Sequence, residues 1–168
     1  MAKLYLGLGS NLGDSAHYLD KAIFEVQSII GPVLKRSEYF SNEPWGYESP
    51  HTFLNACICV ETALHWRECL ELTQKIEQRL GRTISNRTSD NSKFVGQAEG
   101  KRADYKDREI DIDLLLYDQL VLNEPELVLP HPLMHQRKFV LLPLSQIAPD
   151  LQHPVLKQSI QDLLLALN

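Results

Sequence analysis

Arg108-Glu109-Ile110-Asp111-Ile112-Asp113-Leu114-Leu115-Leu116-Tyr117 is the stretch whose reading decides the fold. Its even positions Ile110, Ile112, Leu114 and Leu116 are all apolar, the period of a strand with one buried face. Asp111 and Asp113 then share the opposite face, their Cβ atoms roughly 7 Å apart, two strand rises along the chain. Two carboxylates at that spacing suit hard divalent cations. Magnesium takes one or two protein carboxylates and fills its shell with phosphate oxygens and water, and paired metals about 3.5–4 Å apart serve in-line displacement at phosphorus. An exposed strand face with two solvated acids explains the same spacing, so the flanking sequence has to decide.

Upstream, Leu4, Leu6 and Leu8 alternate with Lys3, Tyr5 and Gly7, giving a first strand. Gly9-Ser10-Asn11-Leu12-Gly13-Asp14 follows as a loop, with Asp14 or Ser15 placed to cap a helix marked by Leu19, Ile23, Val26 and Ile30. A second strand is expected over about 33–41, then a loop over 42–52 with two prolines and a glycine. The third strand, 53–61, puts Leu54, Ala56, Ile58 and Val60 on one face and Phe53, Asn55, Cys57 and Cys59 on the other. A second helix is expected over about 66–80, stopping at Gly81. Downstream of the acidic strand come a proline-punctuated loop through Pro125, Pro130 and Pro132, a helix near 137–148 and a C-terminal helix around 159–167.

The order strand, helix, strand, strand, helix, strand is the split βαβ arrangement of a ferredoxin-like α+β sandwich. Both central helices cover one face of an antiparallel sheet. The other face is expected to be open and to gather Tyr5, Gly7, Phe53, Asn55, Asp111 and Asp113, with the C-terminal helices added outside this unit. The polar stretch between Arg82 and Asp107 is too long for a mere connector and is expected to be a mobile catalytic loop.

The length, 168 residues, fits one domain spanning 1–168, enough to bury about 70% of its unfolded surface. Seventeen basic against 22 acidic side chains, a net charge of −5, argue against a general nucleic-acid or acidic-membrane binder. The chain enters its first strand at once, shows no signal peptide and has no run approaching a membrane span, so a cytoplasmic protein is expected. Cys57, Cys59 and Cys69 are odd in number, and two sit too close along one strand for a framework disulfide; they are expected to be reduced.

The glycine-containing loop after the first strand lacks the Lys-Ser/Thr of a phosphate loop and the spacing of a dinucleotide fingerprint, so a tight turn with a helix cap explains it. Gln74 and Glu77 share a helical face, where Glu77 either orients a ligand or forms an ordinary surface pair. Arg82 and Arg108 frame the long loop, whose own cations are Arg87, Lys93, Lys101, Arg102 and Lys106. Cations that swing over a polyphosphate offset charge build-up during transfer, though a solvated insert explains most of them equally well. Pro130-His131-Pro132 is a stiff loop whose histidine is either structural or a phosphate donor. Trp45, Phe53 and Phe139 are either core or a stacking surface for a flat heterocycle, with Asn55 reading its edge.

Taken together, seven segments in register resemble the 6-hydroxymethyl-7,8-dihydropterin pyrophosphokinase family of folate biosynthesis. They are Leu8-Gly9-Ser10-Asn11-Leu12-Gly13-Asp14; Glu43-Pro44-Trp45-Gly46; Phe53-Leu54-Asn55-Ala56; Glu77 through Gly81-Arg82; Arg108-Glu109-Ile110-Asp111-Ile112-Asp113; Pro130-His131-Pro132; and Arg137-Lys138-Phe139-Val140-Leu141-Leu142-Pro143-Leu144. The resemblance implies a ferredoxin-like fold and transfer of pyrophosphate from ATP to the hydroxymethyl group of the reduced pterin, releasing AMP. It implies two magnesium ions on Asp111 and Asp113. It matches Gln74, Glu77, Arg108, Leu114, His131 and Arg137 to ATP contacts, and Asn42, Glu43, Pro44, Trp45, Phe53, Asn55 and Phe139 to the pterin pocket. Arg82 matches a catalytic-loop arginine, and Arg108 joins it in the catalytic set. The implied partners are ATP and the dihydropterin, with no nucleic acid and no membrane, in a stand-alone monomer.

Several positions depart from the family pattern. Ile84 stands where a second loop arginine is common, the segment 85–107 is longer than usual and lacks a tryptophan, and Pro132 replaces a polar neighbour of the histidine. Glu126 and Val128 occupy places that sometimes offer polar contacts to ATP. The acidic pair and the pterin-pocket residues keep the pattern.

Overall fold

The computed structural model describes residues 1–43, 48, 50–81 and 107–168. The leucine alternation of the N-terminus makes β1 (Ala2–Ser10), which lies between two antiparallel neighbours, β4 (Phe53–Thr62) and β5 (Asp111–Tyr117). The outer edge of β4 carries β2 (Val33–Arg36) and β3 (Phe40–Asn42), so the main sheet runs β2-β4-β1-β5 with β3 beside β4. The second strand expected over 33–41 is thus two short strands. The break falls at Ser37, whose N–H donates to Cys57 O and whose Oγ accepts from Cys57 N, both at 2.9 Å.

Helices α1 (Ser15–Ile29) and α2 (Trp66–Arg79) pack on one face, as the apolar spacing requires. Asp14 Oδ1 accepts from His17 N at 3.1 Å and satisfies an orphan donor of the first turn of α1. The core beneath these helices joins Leu4, Leu6 and Leu8 of β1 to Leu19, Ile23 and Val26 of α1 and to Leu70 and Ile76 of α2. Ile112 and Leu114 of β5 belong to it as well.

Leu116, expected on this helix-covered face, lies on the other. The register between β1 and β5 slips at Tyr5/Leu6, where Leu6 faces Leu114 and Tyr5 faces Leu116, leaving Leu115 as an extra residue. Such a bulge interrupts the alternation. Leu115 and Leu116 both enter the second core, while Tyr117 turns to the first and donates its hydroxyl to Leu64 O at 2.7 Å.

The second core also shows that the face expected to be open is covered over much of its length. Helices α3 (Lys138–Ile147) and α4 (Ile160–Ala166) lay Val140, Leu141, Leu144, Ile147, Leu163 and Leu164 over Tyr5, Cys57, Cys59 and Leu115. The three cysteines are free and buried. A short hairpin of β6 (Leu122–Asn123) and β7 (Val128–Leu129) follows β5. No helix among the described residues is long and apolar enough to cross a membrane.

Candidate active site

The sheet is uncovered where β1, β4 and β5 present their glycine and acid positions. The strand register sets two rows across three strands: Asp113–Gly7–Cys57 and Asp111–Gly9–Asn55. In each row the central position is glycine, so the middle strand contributes no side chain and a trough opens between β5 and β4. Phe53, Arg108, Arg137 and Phe139 complete its walls, making a cleft of about 600 Å³ including its open mouth. The trough is tight at Gly9, where an added Cβ would lie 3.1 Å from Asn55 Oδ1 and 3.6 Å from a Phe53 ring carbon, so the Asn55 amide would have to shift.

Asp111 and Asp113 therefore share the cleft face of β5, as alternation requires, and neither is tucked under the helices. Their strand is held from behind. Glu77, buried on α2, accepts a hydrogen bond from Ile112 N at 2.7 Å through Oε1, at the residue between the two acids. Arg108, buried just ahead of β5, brings Nη1 to 3.2 Å from Asp111 Oδ2. Its backbone is fixed by Asn11. Asn11 Oδ1 accepts from Arg108 N at 2.8 Å, Asn11 N donates to Arg108 O at 3.1 Å, and Asn11 Nδ2 donates to Asp107 Oδ1 at 2.7 Å.

On the opposite wall, Asn42 Nδ2 donates to Glu43 O at 2.6 Å, and Asn42 Oδ1 accepts from Asn55 Nδ2. A carbonyl can only accept, so this chain of bonds fixes both amides and puts Asn55 Oδ1 on the Gly9 side of the cleft. Arg137, almost fully buried at the start of α3, sets its guanidinium carbon 5.7 Å from the centroid of Phe139. Cys57 lies at the trough floor with Sγ 3.7 Å from Val140 O. Burial first, and then the charge of Asp113, push this thiol far above its ordinary range, so it stays protonated and is no nucleophile.

The remaining expected ATP residues are placed elsewhere. Gln74 and Glu77 come from α2, on the helix-covered face, and Leu114 is buried in the core there. His131 is buried on the outer edge of β5, where its N–H donates to Leu115 O at 2.9 Å. Its Nδ1 accepts from Leu133 N at 3.3 Å. Pro44, Trp45, Arg82 and all of the expected loop 82–107 except Asp107 lie outside the described residues.

Three contributions were not read from sequence. The trough floor at Gly7 and Gly9 was legible in principle, since glycines two apart on a strand remove adjacent side chains from one face. The Glu77 contact to β5 and the Asn11 contact to Arg108 bridge 35 and 97 positions, and no local pattern encodes them.

The donor set fits magnesium. Among the described residues no cluster of three or more metal-binding side chains exists. Two carboxylates on one strand face match the one or two protein carboxylates that magnesium takes, with phosphate oxygens and water left to complete its shell.

Comparison with known proteins identifies the family and the fold. Residues 5–149 match the family model described as 7,8-dihydro-6-hydroxymethylpterin-pyrophosphokinase (HPPK). The chain is 45% identical over 155 residues to the 2-amino-4-hydroxy-6-hydroxymethyldihydropteridine pyrophosphokinase of Porphyromonas gingivalis, covering 92% of this chain and 95% of that one. The proteins of the same name from Bacillus subtilis and Aquifex aeolicus are 36% and 33% identical, covering 88% and 96% of this chain and 79% and 90% of theirs. Among solved structures, wild-type Plasmodium falciparum HPPK-DHPS superposes with a TM-score of 0.72 at 15% identity, a likeness of fold. The alignment covers 98% of this chain and 44% of that longer one.

Proposed function

The chain belongs to the 7,8-dihydro-6-hydroxymethylpterin-pyrophosphokinase family, and on that premise we propose how its cleft performs the family's reaction. The enzyme transfers pyrophosphate from ATP to the hydroxymethyl group of 6-hydroxymethyl-7,8-dihydropterin, in folate biosynthesis. The hydroxymethyl oxygen bonds to the β-phosphorus as the bond to the α,β-bridging oxygen breaks, and AMP leaves.

Asp111 and Asp113 would hold the magnesium, two ions in this reading, and the metal would supply charge neutralisation to the phosphates. Arg108 and Arg137, both buried cations on the cleft wall, bind phosphate oxygens, and Arg82 adds a cation from its segment. The pterin ring lies against Phe53 and Phe139, and Asn55 Oδ1 accepts an N–H from its edge. Asn42 and Glu43 serve that contact by fixing the Asn55 amide, and Pro44 and Trp45 take part in pterin binding on the strength of the family motif alone. Gln74 from α2 and His131 from beside β5 contact ATP, and Leu114 does so through its backbone because its side chain is buried in the core, while Glu77 acts on the nucleotide through the strand that it holds. Transfers of this kind are mostly alignment and electrostatics, so rigid placement of these groups is the chain's main contribution.

The observation that carries the reading is the pair of rows Asp113–Gly7–Cys57 and Asp111–Gly9–Asn55, which puts acids and a heterocycle reader on opposite sides of one glycine trough. We place the enzyme in the cytoplasm as a monomer, where its three buried thiols stay reduced. The test is product identity. Purified enzyme with ATP, magnesium and the dihydropterin should form AMP in step with pterin consumed. ADP as the product, or nucleotide turnover that ignores the pterin, would overturn the assignment.

A further inference from the structure

We infer that Asn11 and Asp107 form a clasp that makes Asn11 a positioning residue for Arg108, an inference that rests on the pyrophosphoryl-transfer reading above. Asn11 follows the last residue of β1, is almost fully buried and is not among the described residues lining the cleft. All three of its hydrogen-bonding groups described above go to two consecutive residues, 107 and 108, across 96 and 97 positions of chain. The backbone N–H and Oδ1 bracket the peptide groups of Arg108 from both sides, while Nδ2 holds the Asp107 carboxylate.

This arrangement separates two motions of Arg108. The backbone is pinned in both its donor and its acceptor, so the point from which the side chain swings is fixed. The guanidinium pairs with Asp111, a carboxylate on the cleft face. With its backbone anchored, the Arg108 guanidinium can exchange the Asp111 carboxylate for the oxygens of an entering phosphate about a fixed hinge. Arginine's planar fork rewards such fixing, since a displacement of about 1 Å can cost a hundredfold in rate.

The clasp is also directional. Asn11 Oδ1 must accept from Arg108 N, which forces Nδ2 toward Asp107, and Asp107 can only accept. Asn11→Asp would set two carboxylates against each other at the position of a 2.7 Å hydrogen bond while keeping the acceptor for Arg108 N. Asp107→Asn alone leaves an amide oxygen to accept from Asn11. The double variant Asn11→Asp/Asp107→Asn restores a complementary pair with donor and acceptor exchanged.

The experiment measures kcat, the KM for each substrate and thermal unfolding for wild type, the two single variants and the double variant. Wild type forming AMP fixes the reaction itself, so failure of the parent reading would show there first. The expected pattern is a fall in kcat of tenfold or more for Asn11→Asp with the pterin KM within twofold of wild type. Asp107→Asn should stay near wild type, and the double variant should recover most of the lost kcat. Asn11→Asp with undiminished kcat, or a double variant no faster than Asn11→Asp while both remain folded at the assay temperature, overturns the inference. A loss confined to the unfolding temperature, with kcat intact below it, would likewise assign the clasp to stability alone.

Discussion

Glu77 offers a sharp test because its buried carboxylate binds the backbone between the two acids. Replacing it by leucine fills the space but removes the acceptor for Ile112 N, which is 2.7 Å away in a water-excluded setting. An orphaned buried N–H costs about 1–3 kcal/mol, with hydrogen bonds to charged groups at the upper end. For a domain of this size, each kcal/mol lowers the unfolding temperature by about 2–4 °C. Glu77→Leu should therefore unfold roughly 5–10 °C below wild type and, with the acid-bearing strand displaced, turn over about 10–100 times more slowly. Glu77→Gln keeps an acceptor in place and should lose about 1 kcal/mol and only a few-fold in kcat. Calorimetric unfolding and steady-state AMP formation, measured on the same preparations, provide the comparison. If Glu77→Gln lost as much turnover as Glu77→Leu while unfolding like wild type, the carboxylate would be acting directly on the nucleotide and not through β5.

Gly9→Ala should raise the pterin KM several-fold with little change in unfolding temperature, because the new methyl meets Asn55 Oδ1 at 3.1 Å and must push the reading amide aside; unchanged pterin affinity would place the ring elsewhere. His153 contributes a pH effect of defined sign. Its Nδ1 accepts from Val155 N and Leu156 N at 3.3 and 3.1 Å, and burial, with a smaller effect of His135, pulls its pKa from 6.5 down to about 4. Between those values the unfolded chain binds a proton there that the folded chain does not, so stability falls as pH drops from 6.5 toward 4 and is unaffected above. His153→Asn retains an acceptor without the titration. Its stability should decline less steeply than wild type over that interval, and parallel curves would contradict the account.

The α/β order and the cleft-facing acids were legible because they depend on period-two and period-3.6 patterns that a chain displays locally. Leu4, Leu6 and Leu8 face the helices, and Asp111 and Asp113 face the trough, for the same reason of alternation. Where alternation is interrupted, the reading from sequence goes wrong: the extra residue at Leu115 moves Leu116 to the second core, and nothing in Leu114-Leu115-Leu116 marks which leucine is supernumerary. The covering of Tyr5 and Cys59 by α3 and α4 was equally hidden, since an amphipathic helix records that it packs but not on which surface. The clasp at Asn11 and the brace from Glu77 are long-range polar contacts; each residue looks like an ordinary turn or surface group until its partner is known.

The central claim is that the acid pair on β5 recruits the nucleotide through magnesium, and the most direct measurement is calorimetric binding of a non-hydrolysable ATP analogue with and without magnesium. Asp111→Asn and Asp113→Asn keep side-chain size and should leave cooperative unfolding intact, because both side chains face the cleft and not the core. Wild type should bind the analogue at least tenfold more tightly with magnesium than without, and either variant should lose most of that difference. A magnesium enhancement that survives in both variants would show that the metal is held elsewhere and that the β5 acids are bystanders.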